Sequence, residues 1–364
     1  MRRQARAPRP ASVEVVIPVH STERPIARAV RSALASPADR VRVLVVCHNL
    51  PSTDIAAELG DVDDPRLRLI EHTDGVPSPA GPLNAGVRAS EADYLAFLGS
   101  DDELEPGALA GWLEELDRAP GPLDVLIGRL SSDSAGRIPA PLPRPFRSRG
   151  LDPVRDRLNF RTAPVGALVR RRLVLDPESP GFIEGLSIGE DIELGIFLWN
   201  RASCIAHSRC AAGYRIHEDG DDRVTGALRP LASALEPLRR LAAAGWFRAL
   251  PMRRRSAAAA KLIRHQVLAQ VRSRHRTDGF GRDDAAAARE CAHALLDAAP
   301  GALGLLSREE AGLARAVLAP EPGAVDAHLS RSHGRVAQLV SDDPRRLFSA
   351  ESHWVGLVRK RVLR

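Results

Sequence analysis

The sequence predicts an α/β fold built on a parallel sheet covered on both faces, followed by an all-helical region. Three observations carry this. Short, continuously apolar runs alternate with helix-period segments up to about residue 225. From about residue 227 onward strand signals vanish and Ala, Leu and Arg dominate. The 364 residues exceed one ordinary domain of about 100–200 residues, so two domains are expected.

Taken in order, VEVVIPV at 13–19 is a β-branched run stopped by polar residues. Ile26, Val30, Ala33 and Leu34 then recur at helical spacing, giving strand, loop and amphipathic helix. The pattern repeats with VRVLVVC at 41–47, a short helix over 53–59, and RLRLIEH at 66–72. Continuous apolar strands between helices read as parallel neighbours joined by right-handed crossovers, a nucleotide-binding layout. A helix over 82–90 leads to YLAFL at 94–98, which runs straight into the acidic cluster GSDDE at 99–103. Ligands of open parallel sheets bind beyond the carboxyl ends of strands, so these acids face a cleft. A solvated turn that caps the next helix is the competing reading.

A helix follows from about Pro106 to Ala119, then a strand VLIGRL at 125–130, and a Pro- and Arg-rich crossing loop at 137–150. A second acidic cluster, GED at 189–191, opens a segment whose apolar residues predict a well-buried helix. Its acids thus sit at a helix N-terminus, where the backbone dipole favours negative charge. A strand near 203–208 precedes YRIHEDGDD at 214–222. Helices are expected around 231–249, 256–274, 284–298, 308–319 and 351–363, with no internal repeat. The expected domains are a disordered basic tail at 1–11, an α/β domain at 12–226 and a helical domain at 227–364.

Composition narrows the function. The net charge of +6 is almost wholly arginine, since Lys261 and Lys360 are the two lysines. Arginine suits phosphate and carboxylate partners, and genomic bias explains its abundance equally well. With 4% aromatic residues there are few stacking platforms, and no zinc-finger or RNA-binding signature is present, so no nucleic-acid partner is expected. Four cysteines without a Cys-x-x-Cys pair fit a reducing, cytoplasmic setting. Cys204, His207 and Cys210 lack an evident fourth ligand, so no zinc site is expected there. No stretch has the about 18 apolar residues of a membrane span. HWVGLVRKRVLR at 353–364 sets Trp354, Leu357 and Val358 beside several cations. Peripheral contact with the inner face of a membrane and packing against the domain are its two readings.

VEVVIPVHSTER, PLNAGVRASEADYLAFLGSDDELEPGAL, GEDIELG and YRIH resemble, in order and spacing across about residues 12–225, the bacterial, inverting family-two glycosyltransferases of the GT-A fold. The resemblance implies a GT-A domain, of the Rossmann-like nucleotide-diphospho-sugar type, with the helical region outside the shared part. It implies a nucleotide-diphosphate sugar donor, a UDP-sugar, whose diphosphate is held by Mn²⁺ or Mg²⁺. Asp102 and His217 are then metal ligands, Asp101 lies near the ribose or donor sugar, Asp191 is the general base, and Glu190 assists it. Pro18 and Asn84, within the matched motifs, and Asn49, after the second strand, are expected to contact the donor. His20 and Glu23 either line the nucleotide-base pocket or are simple loop residues. Members often carry an extra aspartate where this chain has Gly99, an aspartate after the second strand where it reads CHN, and a basic residue where it has Leu83.

The chemistry asks for such residues independently. Departure of a diphosphate from an anomeric carbon builds negative charge that a cation held by carboxylates and an imidazole can neutralise. The attacking acceptor hydroxyl must lose a proton, which calls for a carboxylate in reach. The expected acceptor is a glycan, an anionic polymer or a lipid-linked sugar in cell-surface polysaccharide biosynthesis, with the helical domain binding it or forming a homo-oligomer. The alternative is a catalytically silent nucleotide-sugar or glycan-binding scaffold.

Overall fold

The structure, a computed structural model, describes residues 10–36, 39–219, 229–277, 279–321 and 323–362. Most of the tail expected at 1–11 and the expected boundary at 226 lie outside the described residues. The chain forms two compact units: the first holds the segment ending at Ile138, Pro164–Ser179 and the segment starting at Ala202, and the second holds Pro139–Ala163, Pro180–Arg201 and the C-terminal helices.

The first unit is built on β1 (Val13–Val19), β2 (Val41–His48), β3 (Leu67–His72), β4 (Tyr94–Phe97), β5 (Glu103–Leu104), β6 (Val125–Ile127), β7 (Leu130–Ser132), β8 (Gly136–Ile138), β9 (Ala167–Arg170), β10 (Ile205–His207) and β11 (Tyr214–Ile216). Its helices are α1 (Ile26–Leu34), α2 (Ser52–Leu59), α3 (Ala80–Ala89), α4 (Ala108–Asp117) and α5 (Arg171–Val174). Seven strands form one sheet in the order β10-β6-β9-β4-β1-β2-β3. β1 runs parallel to both β2 and β4, and β2 parallel to β3. Both faces of β1 and β2 are covered, which is why their sequences are apolar apart from Glu14, Arg42 and His48. Val15, Ile17, Val43 and Val45 pack with α1, α2 and α4, while Val16 and Leu44 are equally buried on the other face. Each such side chain contributes about 1.5–3 kcal/mol by leaving water.

Two expectations change. The sheet is mixed, because β9 runs antiparallel to both β4 and β6. The run at 125–130 is not one strand: it breaks after Ile127, and Leu130 enters a second sheet of order β5-β11-β7-β8. At the break the chain needs glycine, since a Cβ at Gly128 would lie 2.2 Å from the Trp112 ring and 2.9 Å from the Gly166 carbonyl.

The second unit holds α6 (Ile192–Arg201), α7 (Leu231–Ala243), α8 (Gly245–Ala249), α9 (Met252–Leu262), α10 (Leu268–Arg276), α11 (Arg282–Ala298), α12 (Arg308–Leu318), α13 (Ala324–Leu329), α14 (Arg335–Leu339) and α15 (His353–Val362). A π-helical turn at Ile263–Val267 joins α9 to α10. Leu231, Leu235, Leu238 and Leu241 of α7, at helical spacing, meet Ala288, Cys291, Ala292 and Leu295 of α11. Ile192 and Ile196 join this core, so α6 packs with the helical unit although it lies N-terminal to residue 227. At the unit's centre Glu310 (5% exposed) accepts from Arg264 Nε at 2.9 and 3.0 Å and pairs with His353 Nε2 at 2.8 Å. Glu310 also closes the capping box of α12 by accepting from the Ser307 N–H. No helix among the described residues is long and apolar enough to cross a membrane.

Candidate active site

Strand order places the site. From β1 the chain adds β2 and β3 on one side, then returns to add β4 on the other, so the order reverses between β1 and β4. Loops leaving the carboxyl ends of strands open a crevice at such a reversal. Because β1 to β4 are all parallel, His20, Glu23, Asn49, Asp101 and Asp102 emerge on one edge. The crevice is bridged directly: Arg24, after β1, ion-pairs with Asp101, after β4. Arg28 of α1 donates to the Asp101 carbonyl and pairs with Asp219 at 2.6 Å. The hydrogen bond from Arg28, opposed by burial, holds the Asp219 carboxyl down at about 2.

Asp102 is 9% exposed, and the small sheet fixes it. Its Oδ2 accepts from the Tyr214 hydroxyl and its Oδ1 from the His217 backbone N–H at 3.0 Å. Burial and the neighbouring Asp102 charge push the Tyr214 phenol well above its ordinary value, so it stays a donor. β11 pairs antiparallel with β5, setting Arg215 opposite Glu103. The His217 ring then lies between two carboxylates, with Nδ1 at 3.1 Å from Asp133 and Nε2 at 3.1 Å from Glu103. The latter contact is misaligned for a hydrogen bond, so Nε2 is shielded without a partner. Beside this, Asn49 (φ 59°) accepts from the Asp74 and Gly75 N–H groups, and Asp74 pairs with His48 at 2.7 Å and His72 at 3.1 Å. Burial would raise the Asp74 carboxyl, but these hydrogen bonds bring it below the usual carboxylate range.

In the second unit, Glu190 and Asp191 immediately precede α6, and the Asp191 carbonyl accepts the Gly195 N–H at 2.8 Å. Gly189 makes the entry possible. It has φ +75°, and a Cβ there would lie 2.9 Å from both Ile192 and Pro237. Burial pushes both carboxyls above the ordinary range, and the Asp191 charge raises Glu190 further. The Lys261 ammonium, 5% exposed, partly opposes this at Asp191. Lys261 is itself pushed down to about 8 by burial, with Asp191 pulling the other way.

Residues 14–175 match the sequence model of glycosyl transferase family 2. This region is a family 2 glycosyl transferase domain. The chain is 32% identical over 221 residues to succinoglycan biosynthesis protein ExoO of Rhizobium meliloti, covering 56% of this chain and 60% of the relative. It is 29% identical to ExoU of the same organism, covering 51% and 56%. The chain thus spans less than two thirds of the length of these curated relatives. Among solved structures, S. aureus TarS 1-349 in complex with UDP-GlcNAc superposes with a TM-score of 0.69 at 17% identity, covering 87% of this chain and 89% of that one. The UDP complex of TarS gives 0.63 at 20% identity, covering 84% and 88%. The fold is that of the GT-A transferases, with a helical C-terminal region.

Within the transferase domain, Pro18 lies in β1, and His20 and Glu23 are exposed in the loop after it. Asn49 braces the Asp74 loop, Asn84 is half-buried in α3, Asp101 meets Arg24, and Asp102 adjoins His217. Sequence reasoning missed Arg24, Arg28, Asp133, Tyr214 and Lys261, and placed Glu103 in the acidic cluster without giving it a role. Tyr214, one of two tyrosines, stands inside the quoted YRIH and was the readable signal among these. The structure also explains the absent aspartate at position 99. A Cβ on Gly99 would lie 2.8 Å from Asp102 Oδ2 and 3.3 Å from the Tyr214 oxygen. Gly99→Ala should therefore cost about 1–3 kcal/mol by overpacking, read by chemical denaturation. An unchanged midpoint would show that the loop yields freely.

Proposed function

We propose that this chain is an inverting glycosyltransferase that moves a sugar from a nucleotide-diphosphate donor, a UDP-sugar, to an acceptor hydroxyl. The observation that carries this reading is the acid and imidazole cluster at the β1/β4 crevice of a family 2 domain. The likeness to TarS structures holding UDP-GlcNAc and UDP supports a uridine donor.

The residues fit a divalent cation. Glu103 Oε1 and His217 Nε2 face one another without a hydrogen bond, and with an Asp102 oxygen brought in by side-chain rotation this mixed oxygen and nitrogen set suits Mn²⁺ better than Mg²⁺. Glu103, His217 and Asp102 would hold it, and its charge would offset that developing on the leaving diphosphate. Asn49 and the Asp74 loop read the base, and Asp101 with Arg24 and Arg28 orders the ribose and diphosphate side. Asp191 takes the proton of the acceptor hydroxyl, with Glu190 as its partner, and a single displacement inverts the anomeric centre.

The acceptor is a glycan, an anionic polymer or a lipid-linked sugar of a cell-surface polysaccharide, in keeping with the succinoglycan biosynthesis relatives. Trp354, Leu357 and Val358 on α15 are each 46–50% exposed, while Arg359 is buried. This exposed apolar face supports contact with a membrane surface or a second copy, on the cytoplasmic side.

A panel of nucleotide sugars tested for thermal stabilisation, with and without Mn²⁺, checks the donor. A UDP-sugar at about 100 times its Kd should add about 2.7 kcal/mol of stability when Mn²⁺ is present. A panel in which no nucleotide sugar raises the Tm would sink the proposal. Lys261→Met should move the acidic limb of the kcat/KM profile to higher pH, because the ammonium that favours ionised Asp191 is gone. A limb that stays in place would separate the two groups.

The scaffold reading keeps one observation in its favour. Both Asp102 oxygens already accept hydrogen bonds from the protein, as they would in a loop whose acids are purely structural.

A further inference from the structure

The helical unit carries a second cluster of ligand-type side chains, apart from the residues discussed above. Glu309 in the first turn of α12, His328 near the end of α13 and His333 just beyond it each bring a ligand atom within 4.8 Å of the other two. It is the one such group of three among the described residues. His328 Nε2 stands 3.8 Å from Glu309 Oε1, too far for a hydrogen bond. That nitrogen is shielded from solvent and has no hydrogen-bond partner.

What distinguishes the cluster from a chance gathering is how the remaining polar atoms are used. His333 Nε2 donates to the His328 carbonyl at 3.1 Å, leaving Nδ1 as its available lone pair. Arg272 donates to both Glu309 oxygens at 2.9 and 2.7 Å. Glu309 and His333 are thus oriented from behind, as metal ligands are when backbone carbonyls and neighbouring groups fix their tautomer and angle. The two imidazoles stack with centroids 4.4 Å apart, and a turn of one ring about its side-chain bonds would aim both lone pairs at a shared ion.

We propose that Glu309, His328 and His333 form a binding site for a borderline divalent cation of the Zn²⁺ class. Two imidazole nitrogens and one carboxylate oxygen suit Zn²⁺ or Co²⁺, whereas Mg²⁺ and Ca²⁺ prefer all-oxygen sets. Ligand atoms around Zn²⁺ at about 2.0–2.1 Å lie closer together than those here, and small side-chain rotations close the gap. The fourth position opens on a surface cavity of about 480 Å³ lined by Arg272, Arg331 and His333, where water or a small anion completes the tetrahedron. The cation acts as a clamp, tying α13 and the segment after it to α12.

The test uses tag-free full-length protein stripped with a chelator, then titrated with Co²⁺ or Zn²⁺ without nucleotide. Wild type should take up the cation with the visible d–d bands of nitrogen-coordinated Co²⁺, and Zn²⁺ should raise its Tm. Asp102→Asn should keep both responses, which separates this site from the proposed donor-side cation. His333→Gln, at a half-exposed position, should weaken binding at least tenfold and abolish the Tm rise. His328→Gln should do the same, and if it fails to fold the His333 variant decides. A wild-type protein with no Co²⁺ bands, or bands of equal strength in His333→Gln, overturns the proposal.

Discussion

Asp191→Asn is expected to lower kcat by about 10²–10⁴ while leaving the Kd of the nucleotide-sugar donor unchanged. The substitution keeps the size and the position at the start of α6, so the fold should persist. What it removes is the basic lone pair that receives the hydroxyl proton. Burial holds the Asp191 carboxyl above the ordinary range, and a base tuned upward is stronger when ionised but is lost to protonation at a higher pH. Turnover in wild type should therefore fall on acidification well before an exposed carboxylate would titrate. Donor binding by calorimetry, turnover by released nucleotide and the pH profile together check the assignment. A silent scaffold would bind donor in both proteins and turn over in neither. Turnover that survives in the Asn variant would move the base elsewhere.

The largest stability effect should come from Glu310→Ala, at about 3–5 kcal/mol. Arg264 is 4% exposed and places its Nε against both Glu310 oxygens. Removing the carboxylate leaves a buried guanidinium uncompensated, strips His353 of its partner and opens the capping box at Ser307. Burial alone would raise the Glu310 carboxyl, but the His353 hydrogen bond and the Arg264 charge bring it from 4.5 to about 2. A group whose folded value is depressed contributes stability above its unfolded value and loses it as pH falls toward the folded one. The cost of Glu310→Ala should thus be full at neutral pH and shrink between about pH 4.5 and 2. Urea denaturation at several pH values reads this directly, and a cost that does not vary with pH would assign the effect to packing alone.

How much of this was legible depended on whether a residue's environment lies close in sequence. β1, β2 and β4 are buried on both faces, so their continuous apolar runs announced them, and the acids after β4 followed from position. α7 and α11 showed through the 3.6-residue spacing of Leu and Ala. β9 did not, because ALVR followed by two more arginines carries little alternation, and its partners lie 40 or more residues away in β6 and more than 70 in β4. The two- and three-residue strands of the small sheet owe their existence to pairing that only the folded chain supplies. Tyr214 reaches Asp102 across 112 residues, and Lys261 acts on Asp191 from a different helix. Gly99 shows the reverse: a residue that reads as a departure from the family pattern is required by the Asp102 and Tyr214 contact.

The interleaved path of the chain has a practical corollary. The helical unit draws Pro139–Ala163 and Pro180–Arg201 from stretches that flank β9, so a cut near residue 226 cannot liberate either half intact. An N-terminal fragment ending there would carry α6 with Ile192 and Ile196 stripped of their leucine partners on α7, exposing grease to solvent. Such a fragment is a recipe for aggregation, and expression work on this protein should keep the whole polypeptide together.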